Sequence, residues 1–170
     1  MRRVHCRQRK YKHLGVDEPK GFGDQVTADH LISANDASVG IDGSTCCLCV
    51  YDIGTKWADA FPSKMRDADE ATLCLHEFAG PKQHVESIHV DNAPELKAAA
   101  RGLGWCADTS VPYISESNGV IERQVGLIEE GTRSIIELSG LGSNVWPLAA
   151  KHYCFARNIR SVEGRSPFKS

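Results

Sequence analysis

Apolar residues cluster in five short stretches of the chain, and turn-forming residues bound each stretch. The first three stretches, Gln25–Ile32, Thr45–Asp52 and Lys56–Phe61, are separated by a polar loop over residues 33–43 and by a turn at Gly54. Alternating or continuous apolar runs of this length are typical of half-buried and buried strands. The pattern therefore predicts a three-stranded meander near the start of the compact part of the chain.

Two further strands are predicted among helices in the second part of the chain. Glu86–Val90 and Trp105–Thr109 are short β-type runs, and a helix over Glu95–Arg101 is predicted between them, after a proline and before a glycine. Upstream, Asp67 begins a capping box that predicts a helix as far as Phe78.

A long helix and a last helix complete the predicted elements. The long helix follows the turn-forming pair at 118–119, and its apolar stripe comprises Ile121, Val125, Ile128, Ile135 and Leu138. The last helix runs from about Asn144 into Arg157, with Trp146, Leu148, Ala149, Tyr153 and Phe155 as its candidate packing residues. The order β-β-β-α-β-α-β-α-α is typical of a mixed α/β layer protein.

Composition places the chain among soluble globular domains. Its 170 residues suffice for one domain with a substantial core, and 41% of them are hydrophobic and 25% charged. We expect a basic lead-in over residues 1–22 and a compact domain over 23–170. The sequence has neither an apolar run of membrane-spanning length nor a signal peptide, so a membrane association and secretion are not expected. The net charge of −2 requires any nucleic-acid surface to be local or completed by other segments.

The cysteines do not form a regular framework. There are seven, an odd number, which favours a reducing compartment with mostly buried thiols. Cys46, Cys47 and Cys49 could suggest a metal cluster. Because neighbouring strand positions point to opposite faces, the three cannot all converge, and we interpret them as small buried hydrophobic residues.

Three carboxylates occupy the ends of predicted elements. Asp29 lies in the first strand, Asp91 follows the fourth strand, and Glu122 lies in the first turn of the long helix. Such positions can converge on one edge of a sheet, where open α/β folds bind ligands. Three acids there would repel one another unless divalent cations such as Mg²⁺ neutralised them. Taken singly, each acid is equally well explained as a turn former, a helix cap or a favourable first-turn charge.

Several motifs in the same order resemble the catalytic cores of retroviral-type integrases, most closely those of copia-type LTR retrotransposons. Residues 112–123 contain Pro-Tyr and then Asn-Gly-Val-Ile-Glu-Arg, which is similar to the family's third-acid signature. Residues 90–96, Val-Asp-Asn-Ala-Pro-Glu-Leu, resemble the second-acid motif, and Thr27-Ala28-Asp29 the first. Segments 51–64 and 146–168 resemble the remainder of such cores, so the resemblance covers about Val26 to Phe168.

The resemblance implies an RNase H-like fold with a five-stranded mixed sheet flanked by helices. It implies that Asp29, Asp91 and Glu122 are catalytic and bind two Mg²⁺ or Mn²⁺ ions, with Asp29 bridging the metals. The implied function is DNA integration by polynucleotidyl transfer, in which 3′-end processing precedes strand transfer. The implied partners are the element ends, the target DNA and a second copy of the chain in a homodimer. The implied location is nuclear or in a cytoplasmic particle.

The resemblance also assigns DNA contacts and a missing module. Asn118, Gly119 and Arg123 are candidate contacts to a DNA end, although a helix cap and a surface charge explain Asn118 and Arg123 as well. Residues 5–10 resemble the tail of the family's zinc module, which makes the lead-in a remnant of it.

Departures from the family pattern support an alternative. Ala93 replaces a usual glycine, Glu116 adds negative charge where DNA should pass, and Gly126 stands where copia-type cores often have a basic residue. The alternative hypothesis is a catalytically inactive or domesticated integrase-derived module that binds DNA or dimerises. A third hypothesis is another RNase H-like nuclease that cleaves RNA–DNA hybrids.

Overall fold

The computed structural model describes residues 19–32, 39–81, 84–91, 93–109, 119–160 and 166–167. The elements follow in the order β1 Val26–Ile32, β2 Cys46–Asp52, β3 Ala58–Ser63, α1 Ala68–Ala79, β4 Ser87–Val90, α2 Pro94–Gly102, β5 Cys106–Thr109, α3 Gly119–Ser139 and α4 Trp146–Ile159. This is the predicted order. Most of the predicted basic lead-in, part of the polar loop and the segment 110–118 lie outside the described residues.

The five strands form one mixed sheet, as predicted. Its order is β3-β2-β1-β4-β5, so β1 is the central strand. The predicted meander is present, because β1 pairs with β2 and β2 with β3 in antiparallel fashion. The strands β1, β4 and β5 pair in parallel, and helices connect them. The helical crossovers are required because parallel neighbours cannot be joined by a tight turn.

Helices cover both faces of the sheet, and alternation along the strands divides the core into two. On one face, α1 and α2 pack against a large apolar cluster that includes Val26, Ala28, Leu48, Val50, Ile88 and Val90. On the other face, α3 and α4 pack against a smaller cluster that includes Cys47, Cys49, Ala60, Ile128, Ala150 and Cys154. The second face is the one that carries the candidate site.

The cysteine-rich strand behaves as predicted. Cys46 lies on the α1/α2 side of β2, where its sulfur contacts the Ser63 side chain at 3.2 Å. Cys47 and Cys49 are on the opposite side, beside Cys154 of α4. These three and Cys46 are free and buried, as is Cys74. Burial raises the pKa of the Cys74 thiol to about 11, which keeps it protonated and unreactive at neutral pH.

The predicted helix boundaries have identifiable causes. The Asp67 side chain accepts a hydrogen bond from the Glu70 amide at 2.9 Å and begins α1. Gly80 ends α1 with φ of 74°, a conformation that favours glycine. Pro94 occupies the first turn of α2, where its missing N–H costs no hydrogen bond.

Three predicted packing residues are exposed instead. Leu138 is 89% exposed, because the buried stripe of α3 consists of Ile121, Gln124, Ile128 and Thr132 and does not reach the last turn. In α4, Leu148 and Phe155 are 63% and 60% exposed, since the helix turns the small residues Ala149, Ala150 and Cys154 towards the sheet. The apolar pattern identified both helices and misassigned part of their inner faces.

Two buried polar residues, Asp52 and Asn158, form hydrogen bonds with backbone groups from distant parts of the chain. Asp52 is fully buried and accepts hydrogen bonds from the Gly23 amide at 2.8 Å and from the amide and hydroxyl of Thr55 at 2.7 Å. Asn158 of α4 pairs through its amide with both backbone groups of Ala58, at 3.1 and 2.7 Å. Ala58 lies on the outer strand β3, so Asn158 satisfies backbone groups that an edge strand would otherwise leave open.

Candidate functional site

Two of the three predicted carboxylates come from the neighbouring parallel strands β1 and β4. The register of β1 and β4 pairs Thr27 with His89 and Ala28 with Val90. Asp29 is the next residue of β1 and Asp91 is the first residue after β4, so the two follow the last paired residues at the carboxyl edge of the sheet. Neighbouring strands are about 4.8 Å apart, which brings the two carboxyl groups within reach of a common cation.

Both acids face the side of the sheet that α3 and α4 cover. Ala28 and Val90 point into the cluster under α1 and α2, so the residue that follows each of them points to the opposite face. The pairing with β2 agrees, because Asp29 lies opposite Cys49, a member of the cluster under α3 and α4. Asp29 is half-buried and Asp91 is exposed, so this pair forms the floor and rim of an open site.

The start of α3 lies over the same face and carries the third acid. Ile121 packs against Tyr51 of β2 and Ala58 of β3, and Glu122 follows it in the first turn, exposed to solvent. Arg157 of α4 strengthens this placement. It donates to the Gln124 side chain at 2.7 Å, and its guanidinium stacks over the Tyr51 ring at 5.3 Å.

The electrostatics of Asp29 show that the three acids influence one another. Burial raises the pKa of Asp29, and the charges of Asp91 and Glu122 raise it further. The His30 amide, which donates to Asp29 Oδ1 at 2.8 Å, and the charge of Arg66 act in the opposite direction. Asp29 thus lies within the electrostatic influence of both other acids, and their assignment to one site stays a prediction.

The three acids do not form a complete set of metal ligands in this arrangement of their side chains. Among the described residues, no three His, Cys, Asp or Glu side chains stand close enough together to hold a metal ion. The donor chemistry nevertheless fits a hard divalent cation, since carboxylate oxygens are its preferred ligands and the mutual repulsion at Asp29 is what a cation relieves. Asp29 and Asp91 lie on adjacent strand segments and Glu122 lies on α3, and their role as metal ligands stays a prediction.

The predicted DNA contacts are described in part. Asn118 lies outside the described residues. Gly119 is the first residue of α3 and Arg123 follows Glu122 at the start of the second turn, and both are exposed. Their contacts with DNA remain predictions.

Sequence reasoning missed a second charged group at the same edge. Arg66, Glu95 and His30 come from the β3–α1 connection, the first turn of α2 and the end of β1. Glu95 forms ion pairs with Arg66 and, at 3.8 Å, with His30 if that ring is protonated. Burial lowers the pKa of His30 to about 4, so the ring is neutral at physiological pH. The motif around 90–96 contained Glu95, but nothing local indicated its partners.

The mixed sheet, its strand order and the covering helices define the class of the fold, which is that of an integrase catalytic core and is RNase H-like. Among solved structures, the catalytic core domain of BIV integrase is similar, with a TM-score of 0.62 and 16% sequence identity. The similarity covers 86% of this chain and 91% of that chain. It confirms the predicted fold class, and the likeness to copia-type members stays a prediction. Neither a family model nor a curated protein matches the sequence.

In the part of the chain that the structure describes, none of the helices is both long and apolar enough to cross a membrane.

Proposed function

We propose that this chain is the catalytic core of a retrotransposon integrase, most like the copia type, which joins DNA ends to a target by metal-dependent polynucleotidyl transfer. The observation that supports the proposal is the parallel pairing of β1 with β4, after whose last paired residues, Ala28 and Val90, Asp29 and Asp91 follow. An integrase-like fold supports it. The partners are then the element ends and target DNA, in the nucleus or a cytoplasmic particle.

In this proposal Asp29, Asp91 and Glu122 hold two Mg²⁺ or Mn²⁺ ions, with Asp29 shared between them. Bound divalent ions would supply activation of water or a DNA 3′-hydroxyl and stabilisation of charge on the phosphoryl oxygens. The carboxylates supply the ligands and set their orientation. Asn118, Gly119 and Arg123 are proposed to hold the DNA end at the start of α3.

Metal binding is the first test of the proposal. We expect Mn²⁺ at ten times its Kd to stabilise the protein by about 1.4 kcal/mol, which raises Tm by roughly 3–6 °C. In Asp29→Asn this metal-dependent rise is lost. Without metal, the variant is as stable as the unmodified protein or slightly more so, because the substitution removes the charge that Asp91 and Glu122 oppose. Differential scanning fluorimetry across a Mn²⁺ series measures both effects.

The matched control is Asp69→Asn, which changes an exposed carboxylate in the first turn of α1. It should keep the full metal-dependent rise in Tm. If Mn²⁺ stabilised Asp29→Asn as much as the unmodified chain, the metal would bind elsewhere and the proposed site would be wrong.

We also propose that the chain is a homodimer, with the outer face of α4 in the interface. Leu148, Phe155 and Ile159 are 63%, 60% and 49% exposed, and their spacing of seven and four residues puts them on one stripe of the helix. The stripe lies on a helix whose other side packs against the sheet, so a second copy can pack α4 against α4 as a rigid, self-complementary surface. The family resemblance supports this occupant.

The dimer proposal predicts a change of oligomeric state on charge insertion. Phe155→Glu should convert the dimer to a monomer in sedimentation velocity, since two buried carboxylates would face each other across a two-fold axis. Leu138→Glu is the control, because Leu138 is also exposed, at 89%, and lies on α3 rather than on α4. An unmodified chain that sediments as a monomer at high concentration would refute the dimer.

A second candidate function is the inactive or domesticated module. Gly126 favours it, because it stands one turn after Glu122 in open space and supplies no cation where copia-type cores often have one. Ala93 no longer favours it. Its φ of −66° is ordinary for any residue, so replacing the family's glycine there costs no strain. Catalysis by the unmodified chain separates the two candidates.

A further inference from the structure

Arg66 lies at the carboxyl edge of the sheet, on the opposite face of β1 from Asp29. It lies between β3 and α1, and its Nε donates to the carboxylate of Glu95 in the first turn of α2. Glu95 Oε1 lies 3.8 Å from Nδ1 of His30, the residue that follows Asp29 in β1. The ion pair therefore lies beside the strand that carries the first proposed metal ligand.

The two members of the ion pair differ in exposure. The Glu95 side chain is 10% exposed, whereas the Arg66 side chain is 43% exposed. Arg66 thus covers the acid and presents its outer side to solvent. The ion pair engages Nε, and the two terminal nitrogens of a guanidinium carry four more N–H donors in a plane that matches a phosphate. Glu95 fixes the orientation of that plane and reduces the entropy that binding would otherwise cost.

The position of Arg66 matters because the edge is acidic. Asp29, Asp91 and Glu122 together repel a DNA backbone. Arg66 pairs with Glu95, and the Glu95 carboxylate lies 3.8 Å from the ring of His30, the residue that follows Asp29. Arg66 is therefore near enough to contact a strand whose reactive phosphate lies at the three carboxylates.

We infer that Arg66 is a DNA-positioning residue, which binds a backbone phosphate next to the reacting one while Glu95 holds its guanidinium in place. The inference rests on the proposed function, because it takes DNA as the substrate. It adds a contact on the α1/α2 side of the site, opposite the proposed contacts of Asn118, Gly119 and Arg123.

The test measures binding of a fluorescent DNA duplex of about 20 base pairs by anisotropy, in Ca²⁺ and over a series of salt concentrations. Arg66→Gln should weaken binding roughly five- to tenfold and should lower the slope of log affinity against log salt by about 0.9, the value for one lost phosphate contact. Arg66→Lys keeps the charge and should restore most of the slope. Arg133→Gln is the matched control. Arg133 is also ion-paired, to Glu129, and it lies about three helical turns after Glu122 in α3. Its slope should not change.

Glu95→Gln distinguishes DNA contact from a purely structural ion pair. If Arg66 contacts DNA, Glu95→Gln keeps the Arg66 charge and an acceptor oxygen for its Nε, so affinity falls less than in Arg66→Gln and the salt slope is unchanged, while Arg66→Gln lowers both. If the pair only fixes α2, both variants lose the same interaction. They should then fall together in Tm and in DNA affinity, with no change of salt slope. That second result would overturn the inference.

The outcome for the unmodified chain separates this inference from the proposed function. If the unmodified chain binds and joins DNA but Arg66→Gln keeps its affinity and slope, the role of Arg66 is wrong and the function stands. If the unmodified chain binds no DNA in the whole salt and metal series, the proposed function fails and the role of Arg66 fails with it.

Discussion

Asp91→Asn is expected to lower Mn²⁺-dependent joining of DNA ends by at least about a hundredfold, because metal-borne stabilisation of the transition state amounts to several kcal/mol. Asn keeps the size of the side chain and removes the charge that a divalent cation needs. Asp91 follows β4, the strand that pairs with the strand of Asp29. Asparagine therefore leaves this position at the sheet edge without a carboxylate ligand. The measurement is a gel assay of strand transfer and of its reversal with a pre-joined substrate.

The control for this experiment is again Asp69→Asn, which should retain full activity. An Asp91→Asn protein with unchanged activity would show that the acids at this edge are not catalytic. An unmodified chain that is inactive in both directions, while still folded and binding DNA, would favour the inactive module. Cleavage of an RNA–DNA hybrid without joining would favour the third hypothesis, another nuclease of the same fold.

The second large effect is expected at Gly131, where α3 meets α4. A Cβ placed there would lie 2.1 Å from the ring of Tyr153, which is half-buried and packs against the cluster under the two helices. Gly131→Ala therefore forces the ring or the helix to move and should destabilise the fold by about 1–3 kcal/mol. Urea denaturation followed by circular dichroism measures the change.

Gly126 provides a matched control in the same helix. Nothing lies within 4 Å of a Cβ built at Gly126, so Gly126→Ala should stabilise the protein by up to about 1 kcal/mol through helix propensity. In the double variant Gly131→Ala/Tyr153→Leu, the smaller leucine side chain replaces the ring, and part of the lost free energy of unfolding should be recovered. If Gly131→Ala were stabilising as well, the close packing of α3 on Tyr153 would be incorrect.

Local sequence patterns were sufficient to predict the elements and the positions of the acids. The alternation around Asp29 placed it within a strand, and the short run before Asp91 placed that acid just after one. Their proximity required the pairing of β1 with β4, whose partners Val26 and Ile88 lie 62 positions apart in the chain and pair only in the folded sheet. Glu122 was placed by the turn before α3 and by the family resemblance.

What the patterns missed depends on tertiary contacts. Phe155 has the periodicity of a core residue, but the small side chains beside it are the ones that fit against the sheet. Nothing local in the sequence indicates that Asp52 and Asn158 are buried, yet both satisfy backbone groups from distant parts of the chain. Nothing near Arg66 in the sequence indicates a role for it, because its ion-pair partner Glu95 lies in α2.

The most direct test of the account is a crystal soaked with Mn²⁺ and analysed by anomalous scattering at the carboxyl edge of β1 and β4. We predict manganese bound by Asp29 and Asp91, with Glu122 turned towards it, and a second ion about 4 Å away when DNA is present. Manganese absent from this edge at a saturating concentration, with the three carboxylates pointing apart, would contradict the account.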